Sequence, residues 1–195
     1  MKAVILASGE GTNAENIVSF FENKKDHLEV VGIISDKPKS GALERARKWN
    51  IPSALIEKKC REKAIHEREI FNQILKWGGE WIFLAGYMRI LGPHFISKFY
   101  DEKRGHSRIL NIHPSLLPSF RGLRAYERAY EANTPFSGVS VHFVDEGVDT
   151  GKLIVQKKFS RFKRDSLQDF KERGQRLEHK AYIEAILKLQ KGDYR

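Results

Sequence analysis

Ala3-Val4-Ile5-Leu6-Ala7-Ser8-Gly9-Glu10-Gly11-Thr12-Asn13 is the stretch that decides the fold class. Residues 3–7 form a short apolar run that ends in Ser-Gly, which reads as a buried strand. Gly9 to Asn13 then make a tight loop, and residues 14–24 carry Ile17, Phe20 and Phe21 at helical spacing. Strand, glycine loop, helix is the opening of a βαβ unit.

The alternation continues outward from there. Val30 to Ile34 reads as a second strand, with a break at Lys37-Pro38. Residues 40–49 read as a helix and Ile51 to Ile56 as an extended segment. Ile65, Ile70, Ile74 and Trp77 give residues 63–77 helical spacing before a buried strand at Trp81 to Ala85. Repeated strand and helix imply parallel strands under right-handed crossovers. The second half differs. Arg108 to Ile112 is a strand that runs into a Pro-rich loop, and residues 123–132 read as a helix. Val139 to Val144 and Leu153 to Phe159 are strands separated by an acidic turn. A last helix, about 166–189, carries Leu177, Ala181, Ala185 and Leu189 on one stripe. With no repeats or clear linker, one α/β domain is expected over residues 1–195.

Composition narrows the function classes. Hydrophobic residues make up 41% of the 195, enough for a core, and the net charge is +10. The basic residues are interleaved with acids, and no run of five or six like charges occurs, so a dedicated nucleic-acid tail is not expected. A nucleic-acid module is the rival reading of that charge; it predicts salt-sensitive binding and no catalysis. Cys60, the single cysteine, excludes an intrachain disulfide and fits a reducing compartment. The N-terminal apolar run is too short for a signal peptide, and no stretch reaches the roughly 18 apolar residues of a membrane helix. A soluble, cytoplasmic protein is expected.

Three features bear chemistry. Gly9-x-Gly11-Thr12-Asn13 between a strand and a helix is suited to an anion, since backbone N–H groups and the helix dipole converge there. Its third-glycine place is Ala14, and Asp36 is only near the place of a ribose-binding acid, so a monophosphate, an ordinary turn and a dinucleotide all stay open. Asn111 and His113, two apart at a strand end, point to the same side, where an amide and an imidazole form an oxyanion-type pair. Asp149, in the acidic turn, is a carboxylate able to orient a histidine and raise its pKa. Asp149-Thr150-Gly151 also matches the aspartic protease tripeptide, but that mechanism requires two aspartates and this βαβ context is wrong for it. With no H-E-x-x-H and no cysteine pair, no metal site is expected.

The joint pattern carries a resemblance. Ser8-Gly9-x-Gly11-Thr12-Asn13, Leu43-Glu44-Arg45-Ala46-Arg47, Leu84-Ala85-Gly86-Tyr87-Met88-Arg89-Ile90-Leu91, Asn111-Ile112-His113-Pro114-Ser115-Leu116-Leu117-Pro118 and Ser140 to Gly151 stand in one order across nearly the whole chain. In that order the chain resembles the folate-dependent formyltransferases, and most closely the phosphoribosylglycinamide formyltransferase family of purine synthesis. The resemblance implies a Rossmann-like α/β fold: a mostly parallel twisted sheet flanked by helices, with an antiparallel strand in the C-terminal half. It implies a phosphate-binding half at 1–100 and a catalytic, folate-binding half at 101–195.

The implied reaction transfers the formyl group of 10-formyltetrahydrofolate to the amine of glycinamide ribonucleotide, with no metal, no nucleic acid and no membrane, by a monomer or homodimer. By the resemblance, His113 is the general acid, Asn111 shares the oxyanion with it and touches the folate, and Asp149 keeps His113 protonated. Gly11, Thr12 and Asn13 hold the substrate phosphate, and Gln175 and Glu178 meet the glycinamide end and ribose. Lys63, with Arg61 as competitor, and Met88, Arg89, Ile90 and Leu91 frame the folate; Asp145, Glu146, Gly147, Val148 and Asp149 wrap its pterin. One departure is plain: where the family often has Gly-Leu-His-x-His, this chain has Gly122-Leu123-Arg124-Ala125-Tyr126, preceded by Phe120-Arg121. The alternatives are a formyltetrahydrofolate hydrolase, expected to carry an extra N-terminal domain, and a formyltransferase for an amino sugar nucleotide or initiator tRNA, expected to carry an extra C-terminal one.

Overall fold

The computed structural model describes residues 1–22 and 28–194. Residues 23 and 24, where the first helix was expected to end, lie outside the described residues. The chain divides into two compact units, Met1–Leu110 and Asn111–Arg195.

The first unit has β1 (Lys2–Leu6), α1 (Thr12–Phe21), β2 (Glu29–Ser35), α2 (Gly41–Lys48), β3 (Ser53–Leu55), α3 (Lys63–Lys76) and β4 (Trp81–Leu84). Their strands lie in the order β3-β2-β1-β4, all parallel. Ile5 of β1 is in register with Ile33 on one side and Phe83 on the other. Ala3 to Leu6 are wholly buried, as a parallel strand covered on both faces must be; this is why the sequence there is continuously apolar. Helix α1 buries Ala14, Ile17, Val18 and Phe21, and α3 buries His66, Ile70 and Ile74. Three further elements escape the sequence reading: α4 (Pro93–Ser97), β5 (Tyr100–Asp101) and β6 (His106–Ser107). Each is shorter than the window in which a period can be recognised.

The second unit takes in β7 (Ile109–His113, which starts just before it), α5 (Ala125–Glu131), β8 (Phe136–Phe143), β9 (Leu153–Ser160) and α6 (Leu167–Lys191). Strands β7, β8 and β9 are neighbours in that order, and β8 pairs antiparallel with β9. The main sheet therefore has seven strands, mostly parallel with an antiparallel part, and helices flank it. The expected fold class is the observed one. No helix among the described residues is long and apolar enough to cross a membrane.

Helix α6 packs on β8 and β9. Its buried face is Phe170, Gly174, Glu178, Ala181, Tyr182, Ala185, Ile186 and Leu189, so a carboxylate rides on the apolar stripe. Ser166 starts the helix with a capping box: its hydroxyl accepts from the Asp169 amide, and the Asp169 carboxylate accepts from the Ser166 amide at 2.9 Å. Each bond satisfies an N–H that the helix leaves over. Ser166→Ala is expected to lower the unfolding free energy by about 1 kcal/mol, read as a shift in the urea midpoint with unchanged slope; an unchanged midpoint would contradict it.

Candidate active site

Strand β7 delivers Asn111 and His113 to one side, as alternation requires, and the chain then turns through Pro114 to Pro118. That turn is tied down. Ser140 of β8 donates from its hydroxyl to the Ser115 carbonyl at 2.7 Å and accepts from the Leu117 amide at 3.2 Å. The Gln156 amide of β9 donates to the Leu117 carbonyl at 3.0 Å. A Pro-rich exit fixed by two neighbouring strands gives His113 a rigid seat.

Asp149 is the hub of the cluster. Its Oδ2 accepts from the Gly122 amide at 2.8 Å and lies 3.2 Å from His113 Nδ1. Its Oδ1 accepts from Asn111 Nδ2 at 3.2 Å and lies 3.5 Å from His142 Nε2. Burial alone would raise this carboxyl; the hydrogen bonds from His142 and Gly122 and the charges of the two histidines outweigh it and bring it down to about 2. Asp149 has a φ of 52°, in the left-handed region. Asp and Asn are among the few non-glycine residues that tolerate this conformation, so the residue type serves the backbone as well as the charge.

His113 is buried, and both ring nitrogens face oxygen acceptors: Nδ1 the Asp149 carboxylate, Nε2 the Phe120 carbonyl at 2.9 Å. Asp149 was expected to lift the imidazole. The Asp149 charge does act in that direction, as does the Phe120 carbonyl, but burial is the larger influence and leaves His113 below its ordinary value. The Asn111 amide also differs from expectation. Its N–H₂ group contacts His142 Nε2 at 3.2 Å as well as Asp149, so it is engaged within the protein. His142 in turn bonds from Nδ1 to the Phe143 carbonyl at 2.7 Å, which leaves Nε2 facing Asn111 and Asp149.

His142, Gly122 and the Phe120 carbonyl are the parts that residue-level reading did not assign. Alternation along β8 puts His142 on the side of Ser140, and the β8–β9 register shifts between Val141 and His142. A bulge of this kind re-aims a side chain next to an active site. Gln175 and Glu178 are separated by their setting on α6: Gln175 is exposed and Glu178 buried. The Tyr126 hydroxyl donates to Glu178 Oε1 at 2.6 Å. A Cβ at Gly174 would lie 2.3 Å from that hydroxyl, so the glycine makes room for it. Tyr126 holds the place of the second histidine of the family pattern, so the departure lands on the partner of Glu178. Arg124 is exposed, 3.6 Å from Glu131. In the acidic loop Asp145 to Val148 are exposed, and Asp145 Oδ1 accepts from the Gly147 amide at 3.1 Å and the Thr150 hydroxyl at 2.6 Å.

In the first unit, the glycine loop is braced by the start of α2. Ser40 Oγ donates to the Gly9 carbonyl at 2.8 Å, and Arg45 Nε to the Glu10 carbonyl at 2.9 Å. Gly11 has a φ of 76°, and a Cβ there would lie 2.6 Å from Ala42 Cα, so no other residue fits. Helix α1 opens directly with Thr12 and Asn13. With carbonyls turned to α2, the loop is left to present the N–H groups that begin a helix. The same unit holds a cavity of about 290 Å³ lined by Lys58, Lys63, His66, Glu67 and Tyr87 to Leu91. It brings Lys63 together with all of Met88, Arg89, Ile90 and Leu91. Arg61, the competitor of Lys63, is instead paired with Glu69. Among the described residues, no three His, Cys, Asp or Glu side chains are grouped to hold a metal ion.

A family model described as formyl transferase matches residues 1–186. Phosphoribosylglycinamide formyltransferase of Bacillus subtilis strain 168 is 38% identical, over 96% of this chain and 94% of its own. The Escherichia coli K12 enzyme of that name is 37% identical, over 93% of this chain and 84% of its own. The crystal structure of phosphoribosylglycinamide formyltransferase from Bacillus halodurans superposes with a TM-score of 0.90 at 38% identity, covering 97% of this chain and 95% of that one. The chain is an enzyme of the formyl transferase family, and within it belongs with the phosphoribosylglycinamide formyltransferases.

Proposed function

We propose that this enzyme transfers the formyl group of 10-formyltetrahydrofolate to the amine of glycinamide ribonucleotide. The observation that carries the reading is the largely shielded Asp149 carboxylate joined to both His113 and Asn111. Gly11, Thr12 and Asn13 bind the substrate phosphate, and Gln175 and Glu178 the ribose and glycinamide end. Lys63 and Met88 to Leu91 frame the folate, and Asp145 to Asp149 enclose the pterin.

The substrate amine attacks the formyl carbon, and the carbonyl π pair moves onto oxygen. Asn111 turns one amide N–H to that oxygen; its 3.2 Å contacts with His142 and Asp149 are exchanged for a charge-assisted bond to the oxyanion. The developing charge adds to that of Asp149 and offsets the burial that depresses His113. The ring therefore takes up the proton that the attacking ammonium must lose and delivers it to N10 of the folate as the C–N10 bond breaks. Proton and formyl group are conserved: the products are the formylated amide and tetrahydrofolate.

An acceptor panel tests this. With 10-formyltetrahydrofolate as donor, glycinamide ribonucleotide is expected to be formylated, and an amino sugar nucleotide is not. Formylation of the sugar nucleotide alone would overturn the acceptor. For the phosphate, Gly11→Val is expected to raise KM for glycinamide ribonucleotide about tenfold or more, since its side chain would collide with Ala42 and push the loop N–H groups out of place. An unchanged KM would make the loop only a turn.

A further inference from the structure

Asp36 is a carboxylate with no role in the reaction above. It follows β2 directly, and its side chain is fully buried. Arg89 Nε donates to its Oδ2 at 2.7 Å, while Oδ1 has no hydrogen-bond partner among the described residues. Burial alone would raise this carboxyl; the Ser8 hydroxyl, Arg89 and Lys37 outweigh it, so it is held below its ordinary value and stays ionised. A buried charge with one oxygen unmatched is a costly feature to keep, and its location accounts for it. The segment it grips is fastened at two further points: the Met88 amide donates to Ser8 Oγ at 2.9 Å, and the Gly92 amide to Glu67 Oε1 at 2.7 Å. Between these anchors Met88 and Ile90 are 60% and 63% exposed. Large apolar side chains on a slack loop would fold down onto the surface; here the backbone is held so that they stand beside the cavity that Lys63 and Tyr87 also line.

We propose that Asp36 is a positioning residue for folate binding, acting through Arg89 to hold Met88 to Leu91 in the shape that receives the donor. This rests on the reading of that segment as the folate frame. The Arg89 guanidinium is thereby committed to the protein, and the segment meets its ligand through backbone groups and the Met88 and Ile90 side chains.

The test is the affinity of the full-length protein for tetrahydrofolate by calorimetry, together with steady-state kinetics, for the wild type, Asp36→Asn, Arg89→Met and the double variant. Wild-type protein is expected to bind. Asp36→Asn is expected to weaken binding and raise KM for 10-formyltetrahydrofolate about tenfold, the scale of one charge-assisted hydrogen bond. Its kcat and its KM for glycinamide ribonucleotide stay within about twofold, a split that general loss of structure would not produce. Arg89→Met, half-exposed and tolerant of change, weakens binding similarly, and the double variant is no worse than either, because the two act as one unit. Wild type that binds no folate would overturn the frame reading and this inference with it. Wild type that binds, with Asp36→Asn or Arg89→Met binding equally well, or with additive effects in the double variant, would overturn the inference alone.

Discussion

His113→Ala is expected to lower kcat for formyl transfer by about 100-fold or more, with KM for both substrates changed only a few-fold. The imidazole is asked for two things at once in the transition state: a donor toward the oxyanion and a carrier for the proton that travels from amine to N10. Each such contribution is worth about 100-fold, and both vanish with the ring. The ground state loses little, because neither interaction exists before charge develops. His113 is seated by the Phe120 carbonyl and Asp149 and not by apolar packing alone, so the variant keeps β7 and the Ser140 ties intact. A kcat within about threefold of the wild type would remove His113 from the chemistry.

Asp149→Asn is expected to cost a comparable factor, about 100-fold in kcat, for a different reason. Asparagine also tolerates the left-handed backbone at this position, and its carbonyl oxygen can still accept from the Gly122 amide. The loop therefore folds. What is lost is the negative charge that opposes burial at His113 and the second oxygen that Asn111 leans on. With burial opposed only by the Phe120 carbonyl, the imidazole is still harder to protonate, and the acid limb of the kcat profile moves to lower pH. An unmoved profile with near-normal turnover would contradict the role given to the carboxylate. The same substitution has a stability signature. Asp149 titrates at about 2 in the folded protein, below its ordinary 3.8. Its contribution, on the order of 2 kcal/mol, is present above pH 4 and is lost as pH falls toward 2. Asp149→Asn is expected to be less stable near neutrality and to lose less on acidification over that window.

The sheet was largely legible because parallel strands buried on both faces cannot hide. Ala3 to Ala7 and Trp81 to Ala85 are continuous apolar runs, and a glycine follows each within two residues. The pairing of Asn111 with His113 was legible for the same local reason, the period of two along β7. What was not legible depends on contacts remote in sequence. Asn111 meets His142 31 residues away, Tyr126 meets Glu178 52 residues away, and Asp36 meets Arg89 53 residues away. No periodicity carries such information. The net shift of His113 was not legible, because residue types reveal the neighbouring charge but not the depth of burial that outweighs it. Glu178 is a related case: the charged run Glu178-His179-Lys180 looks like a solvated helix face, and only the packing of α6 turns the glutamate inward. Asp36, close to the place of a dinucleotide-binding acid, is instead taken up by Arg89, which removes the main support for that reading of the glycine loop.

In the proposed reaction the cluster around Asp149 directs the formyl group to an amine and not to water. The decisive experiment follows an isotopically labelled formyl group from 10-formyltetrahydrofolate in the presence of glycinamide ribonucleotide. One formylated amide is expected for each tetrahydrofolate released, with negligible donor turnover when the amine is left out. Labelled formate appearing in step with tetrahydrofolate, with or without the amine, would contradict it.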